Sequence, residues 1–360
     1  MPLGCRCPSP VLASVLAVSL CCCKHVNQPV APIAIADLSF SGLPGKAVGT
    51  TVAFVTEDLI VVGRHPGETG SFSGTLTAIQ WRDGKLGFLK TNAISNYRGF
   101  IGGLFPTGGG RFISSLQQPT ELLSADLSAI TDIQTKFVVP PVGGGNVAGD
   151  SHGFREWNIY RIAPDKVLLR HGTGQLLSLS NDSLVFRVKN EIQIERMTGE
   201  TLGSFAVPPL STCYARARLL GSNRLYLNGC GPGRVVDFSG KTTVEIPEPD
   251  GWGFRYGLTE GSHRILFDKY TRRISGFQKM AESVESLITF GMAPIVTSRG
   301  EIIRVVDTDA GKICFQLDSP DRKFGRDGEY HADISPSGHF VALASTDKLS
   351  VYPLPNVCSQ

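Results

Sequence analysis

A short phrase that recurs along the chain constrains the fold more than any other feature of the sequence. In each copy an apolar strand leads into a turn that holds glycine beside polar residues, and a second apolar strand follows. The clearest copies are centred on Gly84, Gly199, Gly240 and Gly311. Gly199 and Gly240 are one repeat of about 40 residues apart, and Gly84 precedes Gly199 by about three repeats. The interval before Gly311 holds one repeat with an insertion, so the chain has the period of a repeat protein.

A second, looser phrase of two strands precedes these turns, as in VAFVTEDLIVVG, ARLLGSNRLYLNG and ADISPSGHFVALAS. Two strands before the glycine turn and two around it give four antiparallel strands, which is one β-propeller blade. We therefore predict an all-β fold, a single propeller of seven four-stranded blades. The approximate blade ranges are 45–92, 97–138, 139–173, 174–209, 212–249, 252–320 and 325–355. Six or eight blades are the alternatives, because the third and sixth repeats are weakly marked.

The last repeat has three strands instead of four. The segment PIAIADLSF, from Pro32 to Phe40, is an apolar strand with no partner near it in the sequence. We predict that it pairs with the final strand, near Leu349 to Pro353. This pairing would complete the last blade and close the ring, which removes an exposed sheet edge. The propeller domain is predicted to span residues 30–357.

The first 25 residues have the layout of a secretory signal. Arg6 precedes an apolar stretch from Val11 to Leu20, which is too short to cross a bilayer as a helix. We expect a signal segment at 1–25 and an extracytoplasmic protein, periplasmic or secreted. A lipid-anchored form attached at Cys21 is an alternative, although Leu20 stands where such sites need a small residue. A cysteine-bearing leader on a cytosolic protein is another.

Four of the nine cysteines lie outside this leader, at Cys213, Cys230, Cys314 and Cys358. An exported chain with four cysteines can form two disulfides. A hairpin loop of two or four residues around Gly221 would place Cys213 directly opposite Cys230, within disulfide distance. A three-residue loop would put the two out of register. The sequence therefore predicts a Cys213–Cys230 disulfide that is conditional on the turn, and leaves the state of Cys314 and Cys358 open.

The segment HADISPSGHFVALASTDKLSVYPLP resembles a blade of the WD-type and related bacterial propellers, in which an inner strand ends in a Ser-Pro-x-Gly turn. The Trp-Asp dipeptide of the WD-type family is missing, and Val351 and Tyr352 stand in its place. The whole chain is similar in kind to exported bacterial propellers that are grouped with quinoprotein-like or lactonase-like folds. This resemblance implies a fold and no single function, since propellers include enzymes, carriers and scaffolds.

Aromatic and basic residues occur together where four of the predicted innermost strands begin. The loop that leads into such a strand opens on one mouth of the axial channel. Arginine suits a carboxylate or phosphate, and aromatic faces suit sugar rings or cations. The predicted ligand-binding residues are Tyr97, Arg98, Tyr214, Arg216, Trp252, Arg255, Tyr256, Tyr330 and His331. The alternative is that these large amphipathic side chains only fill a wide ring.

The net charge of the chain limits the classes of partner that we expect it to bind. The net charge is +3, from 35 basic and 32 acidic residues without a basic run, which argues against nucleic acid. We predict an exported, monomeric, non-enzymatic propeller without a cofactor, which binds a small anionic or sugar-like ligand or a peptide loop. A lactonase-like or quinoprotein-like enzyme is the second hypothesis and needs a metal or quinone at the axis. Its candidate residues are Glu57, His152, Asp268 and Asp333. A protein-interaction scaffold, the third hypothesis, requires an exposed apolar patch.

Overall fold

A computed structural model of the 360-residue chain describes residues 31–38, 47–66, 73–95, 103–117, 119–133, 138–151, 155–248, 254–258, 263–269, 301–318, 331–345, 347–356 and 358. Every helix or strand assigned within these ranges is a β-strand. Residues Ala31–Gln360 form one compact structural unit. No helix in the described ranges is long and apolar enough to cross a membrane.

The strands form seven four-stranded antiparallel sheets, which confirms the predicted seven-bladed propeller. The first strand is β1 (Ala34–Asp37). Blade 1 consists of β2 (Ala47–Thr56), β3 (Leu59–Pro66), β4 (Gly74–Arg82) and β5 (Lys85–Ile94). Blade 2 consists of β6 (Leu104–Gly108), β7 (Arg111–Ser114), β8 (Glu121–Ser124) and β9 (Ala129–Asp132). Blade 3 consists of β10 (Val138–Val139), β11 (Val147–Ser151), β12 (Glu156–Arg161) and β13 (Val167–Thr173).

In the remaining blades, as in blades 1 to 3, the strands are ordered from the innermost to the outermost. Blade 4 consists of β14 (Gln175–Leu179), β15 (Ser183–Val188), β16 (Glu191–Arg196) and β17 (Thr201–Ala206). Blade 5 consists of β18 (Arg216–Leu220), β19 (Arg224–Asn228), β20 (Arg234–Asp237) and β21 (Thr242–Glu245). Blade 6 consists of β22 (Phe254–Leu258), β23 (Arg264–Lys269), β24 (Glu301–Asp307) and β25 (Ile313–Asp318). Blade 7 consists of β26 (His331–Ile334), β27 (Phe340–Ala344), β28 (Lys348–Pro353) and β1.

The N-terminal strand closes the ring, as the sequence predicted. Strand β1 is antiparallel to β28, with Ala34 opposite Val351 and Asp37 opposite Lys348. Leu38, just after β1, is completely buried. Its carbonyl oxygen accepts a hydrogen bond from the buried guanidinium of Arg64 in blade 1. The outermost strand of blade 7 is therefore tied to the neighbouring blade as well as to its own sheet.

The hydrophobic core is divided into seven clusters, and each cluster lies between two neighbouring blades. Strand β3 shows how alternation produces this arrangement. Ile60 and Val62 pack in the cluster shared with blade 7, whereas Val61 packs in the cluster shared with blade 2. Successive side chains of a strand point to opposite faces of the sheet. Each blade is therefore covered on both faces by its neighbours.

A disulfide and side-chain hydrogen bonds stabilise the junction between blades 6 and 7. Cys314 of β25 and Cys358 form a disulfide with a Cα–Cα distance of 4.3 Å. The buried Arg264 of β23 donates to the carbonyl oxygens of Gly338 and Pro355, both at 2.6 Å. The segment that follows β28 is thus held against blade 6 as well as blade 7.

An ionic cluster joins blades 5 and 6. Asp309, in the turn between β24 and β25, accepts from Arg224 Nη1 at 2.6 Å and lies 2.7 Å from His263 Nδ1. Burial by itself would raise the pKa of Asp309, but the hydrogen bonds and charges of His263 and Arg224 outweigh it and lower the pKa. The folded protein therefore favours the ionised carboxylate.

We expect Leu38→Ala to lower the free energy of unfolding by about 2–5 kcal/mol, because it removes a buried side chain at the ring closure. Ile35→Ala on the same strand is the control, since Ile35 is 60% exposed. That change should cost within about 0.5 kcal/mol. Denaturant unfolding of both variants measures the difference, and equal costs would contradict the closure role of this segment.

Asp309→Asn should make the stability of the protein less dependent on pH in the acidic range. A carboxylate with a lowered folded pKa stabilises the fold above its unfolded pKa of about 3.9, and this contribution is lost as the pH falls through the folded value. The cluster is partly exposed, so its contribution at neutral pH should be a few tenths to about 1 kcal/mol. Melting temperatures from pH 2 to pH 7, with the exposed Asp165→Asn as control, test this. An unaltered pH profile in Asp309→Asn would refute it.

Candidate functional site

The candidate site lies where the chain passes from blade 4 to blade 5. Residues 207–215 connect the outermost strand of blade 4, β17, with the innermost strand of blade 5, β18. We call this segment the 4–5 loop. It carries Tyr214 near its end, and Arg216 is the first residue of β18. Two of the predicted ligand-binding residues therefore share one blade junction.

Tyr214 and Arg216 form a stacked pair. The guanidinium carbon of Arg216 lies 5.5 Å from the centroid of the Tyr214 ring. Tyr214 is 37% exposed, and Arg216 is also exposed. On the blade 4 side, Nε2 of Gln175 donates a hydrogen bond to the Tyr214 hydroxyl. The Arg216 guanidinium is thus exposed to solvent, and the Tyr214 hydroxyl is hydrogen-bonded to blade 4.

Arg187 of β15 adds a second cation near Tyr214. It is 2% exposed; its Nε donates to the Lys189 carbonyl oxygen at 2.9 Å, and its Nη2 donates to the Pro208 carbonyl oxygen. Its Nη1 is buried with no hydrogen-bond partner among the described residues. Burial lowers the pKa of Arg187, and the neighbouring Tyr214 acts in the opposite direction.

Gln175 is the fourth member of the site. It is the cross-strand neighbour of Arg187, and its Oε1 is buried without a hydrogen-bond partner in the described part of the chain. A buried donor and a buried acceptor are thus both unsatisfied beside Tyr214. Such groups are costly unless a ligand or an ordered water pairs with them. The arrangement can therefore accept a molecule that brings hydrogen-bonding atoms.

A disulfide between Cys213 and Cys230 fixes the 4–5 loop to blade 5, with a Cα–Cα distance of 5.4 Å. The register from which the sequence argument derived this pair is wrong. Leu220 pairs with Arg224, so the hairpin loop has three residues. The two cysteines come together outside the ladder because the backbone curves there; Cys213 N donates to the Pro209 carbonyl oxygen at 3.1 Å.

The other predicted ligand-binding residues are placed as follows. Nδ1 of His331 accepts a hydrogen bond of 3.3 Å from the Val52 backbone, which links the innermost strands of blades 7 and 1. Arg255 and Tyr256 belong to the innermost strand of blade 6, β22. Tyr97, Arg98, Trp252 and Tyr330 lie outside the described residues. The predicted convergence of all nine residues on one mouth therefore stays a prediction.

Sequence reasoning missed Gln175 and Arg187. A signal for Arg187 was present, because this residue interrupts the apolar strand SLVFRV. A charged residue inside an apolar strand is rarely fully buried unless it has a partner. Gln175 had no comparable signal, since a polar residue at the start of a strand is ordinary.

Two residues proposed for the enzyme hypothesis take part in contacts between blades. Glu57 accepts from the Ser337 backbone at 2.9 Å, and Asp333 Oδ2 accepts from the Phe54 backbone at 2.8 Å. Asp268 is in β23, the second strand of its blade, and His152 lies outside the described residues.

One group of potential metal ligands occurs among the described residues. Asp307, Cys314 and Cys358 have ligand atoms within 4.8 Å of one another. The two sulfur atoms are bonded to each other in a disulfide, so they are not thiolate ligands.

No known family matches this sequence, and no curated protein is similar to it in sequence. In structure the chain is similar to the WD40 domain of Pan2 from Neurospora crassa, with 12% sequence identity and a TM-score of 0.49. The similarity covers 91% of this chain and 96% of that domain. A likeness at this level carries no information about ligand, partner or activity.

Gly229→Ala should displace Tyr214, because a Cβ at this position would lie 2.1 Å from the Tyr214 carbonyl oxygen. Gly221→Ala is the matched control, since both glycines have positive φ but the space around Gly221 is open. The control should cost about 1–2 kcal/mol for the left-handed backbone alone. Gly229→Ala should cost more in denaturant unfolding; an equal cost would show that the close approach is unimportant.

Proposed function

We propose that this chain is an exported, non-enzymatic binding module that takes an anionic ligand at the junction of blades 4 and 5. The ligand is a small molecule or the acidic group of a peptide. Tyr214 and Arg216 would meet it first, with Arg187 and Gln175 behind them. A propeller fold is compatible with such a role, because its rigid blades hold the loops in fixed positions.

The observation that carries the proposal is that no carboxylate among the described residues counteracts the burial of Arg187, whose Nη1 is also unpaired there. The described residues include two other buried arginines whose pKa is lowered by burial, and in both cases carboxylates act against this lowering: Asp347 and Asp37 for Arg64, and Asp307 for Arg264. For Arg187 the opposing group is the phenol of Tyr214. Its described hydrogen bonds go to carbonyl oxygens. A buried cation without a counter-charge is costly, so an anion bound nearby would be stabilised.

The geometry favours an anion over a neutral sugar. One face of the Tyr214 ring, on which a sugar could otherwise stack, has the Arg216 guanidinium over it. A neutral sugar would have to displace that cation and would offer it no opposite charge. A carboxylate or phosphate can instead bind the exposed guanidinium with two parallel hydrogen bonds.

Export is part of the same proposal. We place a signal segment at residues 1–25 and the functional domain at residues 30–357. The two disulfides support an oxidising compartment, because such bonds are rare in the reducing cytosol.

Calorimetric titration of the oxidised protein with citrate, inorganic phosphate and glucuronate tests the proposal, with glucose as the neutral comparison. We expect at least one anion to bind, and added salt to weaken the binding. Arg216→Ala should weaken it roughly 10- to 100-fold, because a hydrogen bond to a charged group contributes about 1.5–3 kcal/mol.

Arg196→Ala is the control variant for this titration. Arg196 also belongs to blade 4, but it is exposed and pairs with Glu200 in an outer turn. This variant should bind anions like the unmodified protein. Equal affinity of Arg216→Ala and Arg196→Ala for every anion that binds would move the site elsewhere.

A scaffold role is the second candidate, and the outer rim of the ring favours it. Apolar side chains are exposed on the outermost strands of four successive blades: Ile35, Leu89, Ile130 and Leu168 are between 43% and 60% exposed. An outermost strand can add a strand from a partner protein. Hydrogen exchange, measured with a partner protein or a ligand bound, distinguishes the scaffold role from anion binding. Binding at the rim protects amides in β5 and β13, whereas binding at the blade junction protects the 4–5 loop.

A further inference from the structure

The 4–5 loop is attached to blade 4 at its beginning. The Val207 backbone N–H donates to the Asn190 carbonyl oxygen at 2.8 Å. The next carbonyl oxygen, that of Pro208, accepts from Nη2 of Arg187. The end of the loop is held by the side-chain contact between Gln175 and Tyr214. All of these contacts are hydrogen bonds, and none of them is covalent.

The attachment to blade 5 is different, because it is covalent. Cys213 is bonded to Cys230, which lies in the connection between β19 and β20. The preceding Gly229 packs so closely on the Tyr214 carbonyl oxygen that no side chain fits between them. The disulfide is therefore next to Tyr214 in the chain, and it holds the Tyr214 backbone against blade 5.

We propose that the Cys213–Cys230 disulfide positions Tyr214 and Arg216 for the anion, and that its reduction weakens anion binding. This inference rests on the proposed function. With the disulfide intact, little conformational freedom of the 4–5 loop is lost on binding. Without it, the ordering of the loop opposes binding, which is the usual cost of a site that is not preorganised.

Reduction requires a dithiol as the electron donor. One thiolate of the dithiol attacks a sulfur of the disulfide, so that a mixed disulfide forms and the other cysteine leaves as a thiolate and takes up a proton. The second thiol of the dithiol then attacks the mixed disulfide and releases the second cysteine. Two electrons pass from the dithiol to the protein, and the dithiol becomes a disulfide. Cys213 and Cys230 are both only half-buried, which leaves them open to this attack.

The second disulfide provides a matched control. Cys314–Cys358 joins strand β25 of blade 6 to the segment after β28, and its Cys314 is buried. Its removal should lower the overall stability, as removal of a native disulfide usually does. It does not touch the 4–5 loop. A loss of affinity that follows from lower stability alone would therefore occur in both variants.

The test compares Cys213→Ser/Cys230→Ser with Cys314→Ser/Cys358→Ser in citrate and phosphate titrations below both melting temperatures. We expect the first variant to bind at least about tenfold more weakly than the oxidised protein, and the second to bind within about twofold of it. Dithiothreitol treatment of the unmodified protein should reproduce the first loss, and reoxidation should restore the affinity. Hydrogen exchange should increase in the 4–5 loop of the first variant only.

Three results would overturn the inference, and they have different meanings. Equal citrate and phosphate affinities of the first variant and the oxidised protein would refute the role of the disulfide and leave the proposed function intact. An oxidised protein that binds none of the anions would refute both. Equal losses in the two variants would show that the disulfide acts through general stability and would also refute a positioning role.

Discussion

The pairing of β1 with β28 is the contact on which the rest of the ring depends. Each hydrophobic cluster is shared by two neighbouring blades. A gap at one junction would therefore expose apolar side chains on both of the blades that meet there. Strand β1 covers the edge of β28, Leu38 fills the cluster between blades 7 and 1, and Arg64 joins that segment to blade 1. The closed ring in turn fixes the distance between blades 4 and 5, where the 4–5 loop must reach from one sheet to the next.

Two buried arginines of this ring, Arg264 and Arg187, differ in the charged groups that lie near them. Arg264 stabilises the junction of blades 6 and 7: it donates to backbone carbonyl oxygens and is opposed by Asp307. Arg187 has the same kind of backbone partners, yet among the described residues its Nη1 is unpaired and the group that counteracts its burial is the Tyr214 phenol. A buried charge without a counter-charge is costly, and this difference between the two arginines is the reason for proposing an anion site at Arg187.

The blade count and the ring closure could be read from the sequence because both depend on local signals. The repeat was found through turn glycines such as Gly199 and Gly240, whose φ angles of 98° and 83° are left-handed, and such turns favour glycine. The site could be predicted only in part. Tyr214 and Arg216 adjoin a recognisable strand start, whereas the approach of Arg187 depends on how two blades pack. The cysteine pair was inferred from a register that β18 and β19 do not have, because the three-residue turn and the curved segments beyond the ladder are not visible in the sequence.

The candidate site lies where two of the innermost strands, β14 and β18, begin. Polar side chains of the innermost strands join neighbouring blades: Asp333 binds the Phe54 backbone, and Ser178 accepts from the Leu219 backbone at 3.1 Å. A side chain that holds two blades together is not available to a ligand without loosening the ring. In the candidate site, Gln175 and Arg216 are the first residues of the innermost strands β14 and β18, and Tyr214 lies in the segment that leads into β18. The 4–5 loop is this segment, and the disulfide gives it the rigidity that the neighbouring strands obtain from their ladders.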